Sequence, residues 1–370
     1  MIDDTIFSPS FGSRPQTLIG RNELINAFTS GLSSRPGSRE RTTLILGQRG
    51  TGKTVLLLEL AEKAKAKGFV AASPTIVSGN MLERIVEKIQ DAGESDLNNS
   101  KQHLTGATFG ALGFSAGLQF SREIQETKSF SYKLSRLTRA LNNSGKGLLI
   151  LIDEVQGSNA GLKELIISYQ ELIGEGANIA MVLAGLPGAI SATLNNHVLT
   201  FLNRAEKKTL EPLKASEIHA YFKQSFGQLG VKLTDYDLAD LTEKTEGSPY
   251  LMQLIGHNIT QYADDDGHLD PAALKTAVDF AQESYMTDIC TATLNNLSEK
   301  DIEFLQAMLT GKRAVKMSEI REKMGISPDY AQSYKRRLID AGVVIQSRRG
   351  EVEFSLPLLA VYLEKMLSEE

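Results

Sequence analysis

The sequence predicts an α/β protein: a parallel sheet with helices on both faces, then an all-helical region, then three short helices with a hairpin. Three observations carry that prediction. Apolar runs at Leu44-Ile45-Leu46, Leu148 to Ile152 and Asn178 to Ala184 alternate with helical periodicity, the pattern of parallel strands buried on both faces. Residues 216–295 then show only helical patterns. Beyond residue 296, helices opened by Ser298 and by Ser327-Pro328 precede two short strands that flank Ser347-Arg348-Arg349-Gly350.

Composition sets the outer bounds. A chain of 370 residues suggests two or three domains, and 41% hydrophobic with 23% charged residues is ordinary for a globular protein. A net charge of −5 argues against nucleic-acid binding over the whole surface, so any such site is local. The one cysteine, Cys290, forms no intrachain disulfide and reads as a small buried apolar residue. The five histidines have no metal-ligand spacing. The N-terminus lacks the pattern of a secretory signal, and no run of about 18 apolar residues suggests a membrane span. No membrane association and a cytoplasmic location are the expectations.

Residues 1–17 are polar, rich in Pro, Ser and Gly, and read as a loosely held N-terminal arm. Ile19-Gly20-Arg21 is a small apolar turn that leads into a helix ending near Leu32; in P-loop proteins such a turn before the first strand often cradles the adenine base. Next come the first strand and Gly47-Gln48-Arg49-Gly50-Thr51-Gly52-Lys53-Thr54. The spacing G-x-x-x-x-G-K-T between strand and helix is a phosphate-binding loop. Its glycines let successive N–H groups turn toward phosphate oxygens, and the following helix presents its positive end to them. Lys53 is expected to bridge the β- and γ-phosphates and Thr54 to ligate Mg²⁺.

A strand at Phe69 to Ala72 and an amphipathic helix from Met81 to Gln90 follow. Residues 95–128 read as an insertion, in which Leu112, Phe114, Ala116, Leu118 and Phe120 alternate with period two. An edge strand or loop is preferred there over a partner- or DNA-contacting hairpin. A helix from Ser131 to Asn142 precedes the strand Leu148 to Ile152, which ends in Asp153-Glu154. Parallel sheets place their sites at such C-terminal strand ends. Asp153 is expected to hold Mg²⁺, mostly through water, and Glu154 to act as general base on the attacking water. After the strand ending at Ala184, Gly185-Leu186-Pro187-Gly188 offers no polar residue to sense a γ-phosphate. Arg204 stands where an arginine finger for a neighbouring subunit could sit, with a surface ion pair as the alternative.

The order of Ile19-Gly20-Arg21, Gly47 to Thr54, Leu148 to Glu154, Ala180 to Gly185, Arg204 and Leu210-Glu211-Pro212-Leu213 resembles an AAA+-type P-loop ATPase. It is most similar to the branch of archaeal-type ATPases, origin-recognition-like initiators and STAND switch proteins. The resemblance implies ATP and Mg²⁺ as cofactors, a P-loop core over 18–210 and a helical lid over 211–295. Gly247-Ser248-Pro249-Tyr250 is similar to the family's lid turn, which places Pro249 near the nucleotide. Tyr250 stands where many relatives have a second-sensor arginine. Asp264-Asp265-Asp266-Gly267 lacks EF-hand spacing and reads as a solvated turn.

Residues 296–370 resemble a winged helix-turn-helix. Ala331 and Leu338 are expected to face its core. Gln332, Ser333, Lys335 and Arg336 are the candidates for a major groove, and Arg348 and Arg349 for a minor groove or phosphates. Residues 297–350 carry eleven Lys/Arg against seven Asp/Glu, a local positive excess in an acidic chain. A final apolar helix from Pro357 to Leu367 is expected to pack back on this module.

Two functions follow. The first is an ATP-hydrolysing protein that couples nucleotide state to double-stranded DNA through the winged helix. Its turnover would be slow or partner-stimulated, and a homo-oligomer would form on ATP binding. The second is a STAND-like nucleotide-gated switch whose winged helix binds a protein partner. A GTPase is disfavoured because no [N/T]KxD motif follows the carboxylate pair, and a small-molecule kinase because of the lid and winged module.

Overall fold

The computed structural model describes residues 2–9, 15–72, 75–100, 128–155, 159–195 and 199–369, with side chains left out at 95–100 and 369. After α1 (Asn22–Gly31), the core is built from β1 (Thr42–Leu46), α2 (Lys53–Lys65), β2 (Phe69–Ala71), β3 (Thr75–Ile76), α3 (Met81–Ser100) and α4 (Phe130–Asn143). It continues through β4 (Gly147–Val155), α5 (Ala160–Gly174), β5 (Ile179–Gly185), α6 (Pro187–Leu194) and β6 (Glu206–Thr209). The strands run parallel in the order β2-β4-β5-β1-β6, with β3 pairing the far end of β4. The predicted parallel sheet with helices on both faces is therefore present. Strand β5 is buried along its whole length, and β4 everywhere except Glu154. Alternate residues feed two separate apolar layers. Leu148, Ile150 and Ile152 pack with α3, α4 and α5, while Leu149 and Leu151 pack with α1 and α2.

Sequence reasoning missed β6 and α6. Glu206-Lys207-Lys208-Thr209 has no apolar run because it is an edge strand, and charge there discourages pairing with another chain. Glu206 pairs with Arg39 at 2.7 Å and Lys208 at 3.0 Å.

The second body comprises α7 (Ala215–Leu229), α8 (Asp235–Lys244), α9 (Pro249–Tyr262), α10 (Pro271–Tyr285), α11 (Glu299–Ala307), β7 (Ala314–Lys316), α12 (Met317–Met324), α13 (Pro328–Asp340), β8 (Val344–Arg348), β9 (Glu351–Phe354) and α14 (Leu359–Glu369). Side-chain caps open many of these helices: Asp270 accepts from the Ala272 and Ala273 amides, and Ser327 from Tyr330. The helix that opens at Pro271 is α-helical to Tyr285 and continues as a π-helical turn, Met286–Thr291. The C-terminal strands form an antiparallel sheet in the order β7-β9-β8, and Ala331 and Leu338 are buried as expected.

One apolar core runs from the helices of 215–285 into the C-terminal module, joining Phe222, Tyr285, Phe304, Leu338 and Leu363. Contacts across the junction reinforce it. The Thr291 and Tyr362 hydroxyls lie 2.8 Å apart, and Lys365 reaches Glu283 at 3.2 Å. Residues 211–369 are thus packed as one block.

Residues 2–9 of the N-terminal arm are held against this block, contrary to the expectation of a loose arm. Phe7 lies among Tyr221, Phe222 and Phe226 with ring centroids 5.2–6.2 Å away. The Asp4 carboxylate accepts from the Ile6 and Phe7 amides and meets His257 Nδ1 at 2.6 Å. The polar composition of the arm hid two buried apolar residues, Ile6 and Phe7. The alternating stretch Leu112 to Phe120 lies outside the described residues.

Candidate nucleotide site

Strand β1 delivers the chain to the loop at Gly47, and α2 starts at Lys53. Gly50 and Gly52 are left-handed, at φ 74° and 83°, which a side-chain-bearing residue adopts only with strain. The loop folds around its own lysine. Lys53 Nζ donates to the carbonyls of Gly47 at 2.9 Å and Gln48 at 2.6 Å, and Thr51 Oγ1 donates to the Gln48 carbonyl at 2.8 Å. Burial pushes the Lys53 ammonium down to about 8, with Asp153 and then Glu154 opposing the shift and Arg49 adding to it. A half-buried ammonium whose hydrogen bonds go to carbonyls has no direct ion pair with a described carboxylate, and a phosphate chain would supply one.

Asp153 and Glu154 reach this loop from β4. Asp153 is buried, and its Oδ2 accepts from Thr54 Oγ1 at 2.6 Å. A hydroxyl and a carboxylate meeting at the head of α2 are hard oxygen donors of the kind Mg²⁺ prefers. Among the described residues no cluster of three His, Cys, Asp or Glu side chains forms a metal cage. The pairing of β4 with β5 breaks between Ile152 and Val155. Within that bulge Glu154 is left-handed at φ 50°, and its amide donates to Asp153 Oδ1 at 2.9 Å. A bulge re-aims a side chain that strict alternation would bury. Here it turns Glu154 outward, at a backbone strain of about 1–3 kcal/mol.

The 211–369 block closes on the loop from two sides. On one, Ser248 caps α9, Pro249 is its first residue, and the Tyr250 hydroxyl donates to Asp288 at 2.7 Å. Tyr250 and Tyr285 flank Gly50: a methyl group built there would stand 3.6 Å from Tyr250 Cβ and 3.7 Å from the Tyr285 hydroxyl. On the other side, the turn after α13 rests on the loop. A methyl on Gly342 would lie 3.3 Å from Gln48 Cγ, and one on Gly188 would lie 2.6 Å from both the Cα and the carbonyl oxygen of Asp340. Gly188 is therefore required by close approach of the C-terminal module.

The other predicted positions separate into near and far. Ile19-Gly20-Arg21 packs at the junction with the 211–217 segment: Gly20 lies against Leu213 and Glu217, and Arg21 donates to the Glu211 carbonyl at 2.9 Å. Burial lowers the Arg21 pKa, opposed by Glu217 and then Glu211. Arg204 ends a 3₁₀ turn, Thr200–Arg204, exposed and without an ion pair to a described residue. Gln332, Ser333 and Arg336 are exposed on α13, as are Arg348 and Arg349 at the β8–β9 turn. Lys335 is half-buried and donates to Gln346 at 3.1 Å. Arg337 is instead occupied by buried Asp301 at 2.5 Å and the Tyr334 ring at 4.7 Å. Sequence reasoning missed Tyr285 and the Gln48–Gly342 contact, neither of which belongs to a motif.

Residues 17–182 match the AAA ATPase domain family, and residues 287–363 match a domain of unknown function, DUF8462. No curated protein matches the chain in sequence. The fold is similar to that of the Walker-type ATPase PABY2304 of Pyrococcus abyssi, with TM-score 0.68 and 16% identity over 95% of this chain and 97% of that one. It is also similar to the ORC2 protein of Aeropyrum pernix in its ADPNP–ADP complexes, with TM-score 0.60 and 15% identity over 98% and 97% of the two chains. Cdc6p from Pyrobaculum aerophilum gives TM-score 0.54 and 18% identity over 100% and 98%. Residues 17–182 thus match an AAA ATPase domain, and the chain as a whole has the fold of these archaeal proteins.

Proposed function

We propose that ATP binding and hydrolysis at the Gly47–Thr54 loop set the seat of the 211–369 block, and with it the grip of the C-terminal module on double-stranded DNA. Lys53 pairs with the phosphate chain, Thr54 and Asp153 hold Mg²⁺, and Glu154 takes a proton from the attacking water. Bound Mg²⁺ supplies charge stabilisation for the leaving phosphates. The Ile19-Gly20-Arg21 turn and Pro249 border the base, and Arg204, exposed and free of partners in the described chain, completes the site of a neighbouring copy in an ATP-dependent homo-oligomer.

The observation that carries this reading is the close approach of Gly342 to the Gln48 side chain. The turn that ends α13 lies beside the Gln48 side chain of the phosphate loop, so a change in loop occupancy would reach the helix bearing Gln332, Ser333, Lys335 and Arg336. The exposed Arg348 and Arg349 and the local positive excess of 297–350 supply an electrostatic footprint for a duplex.

Steady-state ATP turnover with and without duplex DNA tests the proposal. A clear rise with DNA supports it. An unchanged rate favours the second reading, a slow nucleotide switch whose C-terminal module binds protein.

A further inference from the structure

Tyr285 belongs to no recognised motif, yet its hydroxyl is the one polar side-chain atom of the helical block found buried and without a hydrogen-bond partner among the described residues. The residue is fully buried, and burial holds the phenol well above its ordinary pKa, so the oxygen keeps its proton. The Ser248 side chain is the main influence opposing that shift, yet it does not meet the Tyr285 hydroxyl in full hydrogen-bonding geometry. An unmatched buried hydroxyl costs roughly 1–3 kcal/mol, so its retention calls for a partner in another state.

Its position indicates which partner. The hydroxyl stands beside Gly50 of the phosphate loop. The Tyr250 and Tyr285 ring centroids are 6.0 Å apart and Tyr250 Cβ borders the same glycine, but the Tyr250 hydroxyl is committed to Asp288. Of the two tyrosines on this flank, only Tyr285 has a free donor. It is also the last residue of α10 before the π-helical turn Met286–Thr291, a local winding often found at functional positions. That turn carries Asp288, which holds Tyr250, and Thr291, which meets Tyr362 of α14.

We infer that Tyr285 is a phosphate-sensing residue, its hydroxyl donating to the phosphate chain of the bound nucleotide and passing occupancy of the loop through the π-helical turn to α14. The inference rests on nucleotide binding at the loop and adds a donor that the motifs do not supply.

The test is Tyr285→Phe in the full chain, read by calorimetric affinity for ATP and ADP and by melting temperature with and without nucleotide. Phenylalanine keeps the ring and removes only the unmatched oxygen. The nucleotide-free melting temperature should therefore hold or rise, while affinity falls about tenfold, the loss of one hydrogen bond to a charged group. A loss confined to ATP places the contact on the γ-phosphate, and a loss shared with ADP places it on the β-phosphate. Affinities for both nucleotides within twofold of the parent would overturn the inference. So would a lower melting temperature without nucleotide, because it would reveal a structural partner for the hydroxyl. Failure of the parent chain to bind ATP would instead refute the loop assignment, an outcome distinct from either.

Discussion

The two halves of the molecule are held together in different ways. The nucleotide core is a sheet with two separate apolar layers, one on each face, drawn from residues between 25 and 210. The 211–369 block has a single core drawn from distant pieces, reaching from Phe7 of the N-terminal arm to Leu363 of α14. The halves meet where the chemistry lies: Tyr250 and Tyr285 on one flank of the loop, the Gly342 turn on the other. A sheet buried on both faces fixes the loop and the carboxylates rigidly. A block with its own core is able to move against that sheet as a unit.

The contrast is broken most severely at Lys53. Lys53→Ala should lower ATP affinity by about a hundredfold or more, since the loop loses its cation, and isothermal titration would show it. Affinity within a few-fold of the parent would refute the loop assignment. Glu154→Gln comes next. It should bind ATP normally yet turn it over about 10²–10⁴ times more slowly. Glu154→Gly should be equally inactive but more stable to thermal unfolding by about 1 kcal/mol, because glycine tolerates the left-handed backbone at 154. Normal turnover in Glu154→Gln would remove Glu154 as the base.

Gly188→Ala addresses the interface itself. Within a helix, alanine is ordinarily favoured over glycine by about 0.5–1 kcal/mol. At 188 the added methyl meets the Asp340 backbone, so the C-terminal module should be wedged off the core. The ATP-versus-ADP difference in duplex affinity, expected at about tenfold in the parent, should then collapse. An unchanged difference would show that the seat carries no coupling.

Two smaller effects sharpen the account. Changing Arg348 and Arg349 together to Ala should flatten the salt dependence of duplex binding by about two in log–log slope. An unchanged slope would point to a protein partner. The depressed Lys53 pKa, about 8, predicts a pH dependence of binding. Above that pH the nucleotide-free lysine loses its proton, and a bound phosphate chain restores it. ATP binding should therefore take up a proton, with affinity falling by up to about tenfold per pH unit from pH 8 toward 10. Titrations in buffers of different ionisation enthalpy would detect the uptake, and its absence would contradict the burial of Lys53.

The core could be read from sequence because its rules are local. Apolar runs bounded by helical periodicity gave β1, β4 and β5, and G-x-x-x-x-G-K-T with Asp153-Glu154 gave the loop and its carboxylates. What escaped depends on contacts between distant residues. β6 is polar because it is an edge, and Phe7 looked solvated because its neighbours are. Tyr285 looked like an ordinary apolar position of a helix, and the Gly188–Asp340 approach joins residues with no shared pattern. The bulge at Asp153-Glu154 was also invisible, since it appears only as a break in pairing with β5.

The central claim, that nucleotide sets the seat of the C-terminal module, is tested most directly by a distance. Spin labels on cysteines introduced at Ala192 and Gln332, both exposed, would report the separation of α6 from α13 by pulsed electron resonance. Cys290 is buried with its thiol pushed up to about 12 and should remain unlabelled. The account predicts that ATP shifts the distance distribution of the parent but not of Lys53→Ala. Identical distributions with and without ATP in the parent would contradict it.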